Sequence, residues 1–114
     1  MTIKQYNFCV AEATTYDDRN AYISDISLSS IWDDPDGADV PSSRINDLIG
    51  IWEAAHRSVK DIATTSGLSC RKLAERFGIP YRTIEDWSAG TRECNLYIRL
   101  MMQECLGILA VQAA

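Results

Sequence analysis

The chain has 114 residues, 46% of them hydrophobic and 24% charged, with a formal net charge of −5. That length suits one domain, or a compact domain with an appended segment, and the average composition excludes a wholly disordered chain, a collagen-like repeat and a membrane-embedded protein. No stretch approaches the ~18 uninterrupted apolar residues of a spanning helix, and the opening Met1–Asn7 lacks a secretion-signal pattern, so the expected address is the cytoplasm.

The charge is unevenly distributed. Residues 1–50 carry Lys4, Arg19 and Arg44 against nine acidic residues, whereas residues 51–114 carry eight basic against seven acidic ones. A phosphate backbone would be repelled by the first part and tolerated by the second. The cysteines at 9, 70, 94 and 105 form no CxxC pair, and His56 is the single histidine. Reduced thiols are expected, with no metal site and no cofactor.

In chain order, Tyr6–Val10 alternates large apolar with smaller residues, which predicts a short half-buried strand, with a helix start as the rival reading. Thr15–Asp18 offers N-cap chemistry for a short helix carrying Tyr22, Ile23 and Ile26. Trp32–Asp39 is dense in acids and turn residues and reads as a loop. A helix is predicted over about 43–56, with Ile45, Leu48, Ile49, Trp52 and Ala55 on one face. A second carries Val59, Ile62 and Ala63 and ends at Ser66-Gly67. Ser69 caps a third that turns Leu73, Ala74 and Phe77 inward and stops at Gly78. Pro80 starts a fourth, Tyr81–Ser88, with Ile84 and Trp87 inside. A terminal helix is predicted over Asn95–Val111, with an apolar stripe wider than one face. The expected architecture is mainly α, with an acidic segment at 1–42 (a short strand plus a helix) and a helical domain at 43–114.

Two short helices joined by a glycine-containing turn, spanning Ser69–Ser88, have the dimensions of a helix-turn-helix, in which Ala74 permits close crossing and Gly78 the sharp reversal. The stretch Gly-Leu-Ser-Cys-Arg-Lys-Leu-Ala-Glu-Arg-Phe-Gly-Ile-Pro-Tyr-Arg-Thr-Ile-Glu-Asp-Trp-Ser-Ala-Gly-Thr-Arg (67–92) resembles the helix-turn-helix of the lambda-repressor-like, Xre-type DNA-binding proteins of bacteria and phages. Flanking helices at about 57–66 and 95–110 agree with that layout, and residues 1–42 lie outside it. The resemblance implies that Tyr81–Ser88 enters the major groove by its N-terminal end while Ser69–Phe77 crosses the backbone. Base reading then falls to Tyr81, Arg82, Thr83, Glu85 and Asp86. Arg82 is the foremost, since a guanidinium can donate twice to a guanine edge. Ser69, Arg71, Lys72, Arg76 and Arg92 are placed for phosphate. Cys70 stands where the family often has a glutamine that bridges to phosphate, so that contact does not carry over. Glu85 and Asp86 leave the reading helix with a net charge of −1.

Plainer readings accompany these. Arg82 and Asp86 suit an exposed i,i+4 ion pair, and Arg71, Lys72, Glu75 and Arg76 suit a solvated helix face. Trp32, Trp52 and Trp87 suit packing anchors. No nucleophile with a paired base is recognisable, so no catalytic residue and no enzyme activity is expected. The leading expectation is a sequence-specific regulator of a phage or mobile element that binds double-stranded DNA as a homodimer through helix 95–111, its recognition helices about 34 Å apart. The rival is a protein-interaction module whose acidic N-terminal segment binds a partner, antitoxin-like or as a DNA mimic.

Overall fold

A computed structural model describes residues 1–113, with seven α-helices and no strand among them. Contacts divide the chain between Ala55 and His56 into two units: Met1–Ala55 with the residues from Ala110, and His56–Leu109.

In the first unit, α1 (Ile3–Ala13) occupies the segment expected as a strand. The Thr2 hydroxyl accepts from the Gln5 amide at 3.1 Å while the Gln5 side chain accepts from the Thr2 amide at 2.8 Å. This reciprocal cap satisfies two amides that a helix start otherwise leaves orphaned. Burial of Cys9, Val10 and Ala13 then follows the helical period and not the alternation of Tyr6, Phe8 and Val10. Asp18 caps α2 (Arg19–Ser27), which buries Tyr22 and Ile26. The Tyr22 hydroxyl donates to the Cys9 carbonyl at 2.8 Å. Burial pushes the Tyr22 phenol up and the Cys9 thiol to about 11, so both remain neutral.

A 3₁₀ turn at Ser30–Trp32 leads into the acidic loop, and α3 (Ser42–His56) buries Leu48, Ile51, Ala54 and Ala55. Arg44 fastens the loop. Its guanidinium pairs in bidentate fashion with Asp34 (2.6 and 2.8 Å), donates to the Ser27 carbonyl at 3.0 Å and lies 4.4 Å from the Trp32 ring centroid. Hydrogen bonding from Arg44 lowers the Asp34 pKa. A carboxyl depressed on folding stabilises the fold above its unfolded value, about 3.9, and loses that contribution as pH falls through the lower folded value. Stability of this unit is therefore expected to decline in that acidic window, and Asp34→Asn to flatten the decline in urea titrations; identical pH profiles would refute the clamp. Trp52 donates to the Tyr16 carbonyl at 3.0 Å, so α3 packs with residues that precede the loop.

The second unit contains α4 (Val59–Ser66), α5 (Cys70–Phe77), α6 (Tyr81–Ala89) and α7 (Leu96–Cys105). Ser58 and Asp61 form a second reciprocal cap at the start of α4. Val59, Ala63, Leu73, Ala74, Ile84, Cys94 and Met102 build the core, with Leu68, Phe77, Ile79 and Trp87 packed against it. The terminal helix is shorter than expected. After Cys105, Gly107 takes a left-handed φ of 75°, and the amides of Ile108 and Leu109 turn back to the Gln103 carbonyl at 2.9 and 3.2 Å. Leu109 thus reaches the interior from a turn and not from a helix face. No helix among the described residues is long and apolar enough to cross a membrane.

Candidate nucleic-acid interface

The pair α5–α6 owes its geometry to punctuation in the sequence. The Ser69 hydroxyl accepts from the Lys72 amide at 3.1 Å and starts α5. Gly78 ends it with φ 66°, where a side chain would be strained, and the Ile79 amide closes the turn on the Ala74 carbonyl at 3.0 Å. Pro80 then opens α6 without a side-chain cap, since its fixed φ suits that position. Ala74 is almost fully buried where the helices approach, and Ile84, with no exposed surface, anchors α6.

That anchoring leaves a polar outer face on α6. Tyr81, Arg82 and Glu85 are exposed, while Thr83 and Asp86 are half-buried. The Arg82 side chain keeps 85% of its surface and reaches Asp86 at 3.8 Å. Such an exposed pair is weak enough to open for another acceptor. Asp86 also accepts from the Thr91 hydroxyl at 3.4 Å, and its backbone carbonyl receives the Thr91 and Arg92 amides, which ties it to the end of its own helix. Of the base-reading set, Tyr81, Arg82 and Glu85 therefore share the accessible leading face. Thr83 and Asp86 sit closer to the body of the unit.

The residues expected at phosphate are all exposed. Lys72 lies 3.7 Å from Glu75, and Arg76 extends over the Phe77 ring at 5.6 Å from the centroid. Arg92 lies in the loop beyond Gly90. Arg71 crosses to the other helix, its guanidinium 4.4 Å from the Tyr81 ring centroid. The neighbouring Glu85 carboxylate, as acceptor and as negative charge, pushes the Tyr81 phenol pKa up, so the hydroxyl stays protonated at neutral pH. This cross-helix stack was not among the sequence expectations. The signal available was the turn of fixed length that brings the first turn of α5 beside the head of α6.

Eight basic residues face six acidic ones in the second unit, and three face ten in the first, so the cationic excess coincides with the helix-turn-helix. The four cysteines are free thiols, and the described residues contain no cluster of three or more metal-ligating side chains.

Fold and surface together define a helix-turn-helix domain. Residues 54–88 match the family described as helix-turn-helix, Psq domain, a stretch running from the end of α3 through α4 and α5 into α6. The match carries the helix-turn-helix assignment without singling out the lambda-repressor-like type. No curated protein and no solved structure matched the chain.

Proposed function

We propose that this protein is a sequence-specific DNA-binding regulator, with α6 as the recognition helix and α5 crossing the backbone. The observation that carries the reading is the two-sidedness of α6: Ile84 is locked into the core while Tyr81, Arg82 and Glu85 project from the helix beginning that a major groove admits. Ser69, Lys72, Arg76 and Arg92 supply the phosphate contacts that set register, and Arg82 reads guanine. The lambda-repressor-like resemblance of 67–92 supports a role as a transcriptional regulator of a phage or mobile element.

A homodimer is part of the reading. On α7, Tyr97 (68% exposed) and Met101 (61%) are one helical turn apart, with Ile98 beside them, and three large apolar side chains on one short helix favour self-association. The second unit would then present two recognition helices to paired half-sites.

Titration of random duplex DNA at rising salt tests the reading. Micromolar or tighter binding at low salt, fading steeply as salt rises, is expected. Arg82→Ala should cost ~1–3 kcal/mol at the selected site and relax preference at one base pair, with nonspecific affinity little changed. Met101→Asp should yield monomers in sedimentation and weaken binding to paired half-sites. Absence of duplex affinity at low ionic strength would instead favour a protein-binding role for the acidic first unit.

A further inference from the structure

The acidic side chains on α6 need an explanation, because a carboxylate on a reading face opposes phosphate and must contribute something specific if DNA is bound. Glu85 stands four residues after Tyr81, one turn further along the same face, and both are exposed. Tyr81 is held from below by the guanidinium of Arg71 on α5, 4.4 Å from its ring centroid. An arginine stacked on a tyrosine presents its flat face to the ring and counters negative charge beyond it. Asp86, by contrast, is half-buried and tied to Thr91, so Glu85 is the acid that projects outward.

The geometry points to Arg71 as a positioning residue and not a phosphate contact: stacked on Tyr81, it fixes the Tyr81–Glu85 couple so that Glu85 accepts from the amino group of a cytosine in the half-site. This rests on the DNA-binding reading above. The chemistry selects the base. A carboxylate only accepts, and its two oxygens carry lone pairs enough to serve both the neighbouring Tyr81 hydroxyl and a further donor. In the major groove, guanine shows N7 and O6 and thymine shows O4, all acceptors that a carboxylate repels. Adenine pairs its N6 amino group with an adjacent acceptor at N7. Cytosine alone offers an amino donor without a neighbouring acceptor on its own edge. Arg82, one position after Tyr81, would read a guanine next to that cytosine.

The two roles of Arg71 separate experimentally. Binding sites are selected from a random duplex pool with the full-length wild type, Arg71→Ala, Arg71→Lys and Glu85→Gln, and each protein's affinity for random duplex is followed against salt. Thermal unfolding of every variant establishes that it is folded. The wild type should show a cytosine preference at one position of each half-site. Glu85→Gln should abolish or redirect that preference, since glutamine suits adenine. Arg71→Lys, which keeps the charge but loses the planar stack, should weaken the same preference about tenfold while leaving the salt slope and nonspecific affinity unchanged. Arg71→Ala should do the same.

A uniform loss across all sequences on Arg71→Ala, with the salt slope smaller by about 0.9 and preference intact, would overturn the proposal in favour of a phosphate contact. Unaltered cytosine preference in Glu85→Gln would overturn the base assignment while leaving DNA binding standing. Failure of the wild type to bind any duplex at low salt would remove the DNA-binding reading itself and this inference with it.

Discussion

Ile84→Ala is expected to destabilise the second unit by about 2–4 kcal/mol and to abolish folding-dependent DNA binding at physiological temperature. The side chain has no exposed surface and lies in one core with Val59, Ala63, Leu73, Ala74, Cys94 and Met102. Truncation removes buried methylene and methyl groups and leaves a cavity among neighbours drawn from α4, α5 and α7 as well as α6. Those helices are joined by turns that allow little collapse, because Gly78-Ile79-Pro80 holds α5 and α6 at a fixed approach. Urea unfolding followed by helical circular dichroism measures the loss. A change below about 1 kcal/mol would mean that the site relaxes freely and that α6 is not anchored through this residue. Arg82→Ala, on the exposed face of the same helix, should leave the unfolding midpoint nearly unchanged, which separates the inner and outer functions of α6.

Gln103→Ala should cost a comparable amount, about 2–4 kcal/mol, for a different reason. Gln103 is a completely buried polar residue. Its side-chain oxygen accepts from the Arg57 guanidinium at 3.1 Å, its amide group donates to the Arg99 carbonyl at 3.2 Å, and its own carbonyl receives the amides that turn the chain after α7. Arg99 completes the arrangement by donating to the Arg57 carbonyl at 2.7 Å and the Cys94 carbonyl at 3.3 Å. The residue thus joins the segment that starts α4 to the body of α7. Removing the side chain takes away a charge-assisted hydrogen bond and leaves a void in a low-dielectric interior, where each lost bond weighs more than at the surface. Gln103→Glu should be milder in one respect, since it keeps an acceptor for Arg57, while setting a second acceptor against the Arg99 carbonyl. Equal stability of Gln103→Ala and wild type in thermal unfolding would show that the network is incidental.

The two substitutions bear on function differently. Loss of Ile84 disorders α6, the proposed recognition helix. Loss of Gln103 loosens α7, the helix whose exposed Tyr97, Ile98 and Met101 are proposed to join two copies. Binding of Gln103→Ala to a single half-site should therefore survive better than binding to a paired one at temperatures where the domain remains folded.

The amino-acid sequence by itself determined α4, α5 and α6, and with them the helix-turn-helix, because their boundaries rest on interactions within a few residues: Ser58 with Asp61, Ser69 with the Lys72 amide, and glycines at 67, 78 and 90 in the left-handed region. Such short-range caps and turns are encoded where they act. The same local logic was present at Thr2 and Gln5, but the alternation of Tyr6–Val10 competed with it, and a five-residue window cannot separate a strand from one face of a helix. The length of α7 escaped for a related reason, since its apolar period continues past Gly107 while the backbone turns back to Gln103. Only the tertiary structure decided that α3 packs with the acidic residues before it, that Gln103 bridges Arg57 and Arg99, and that Arg71 lies over Tyr81. Those contacts join residues from different elements, so they depend on how helices cross and which side chains meet there, a geometry that no local spacing specifies.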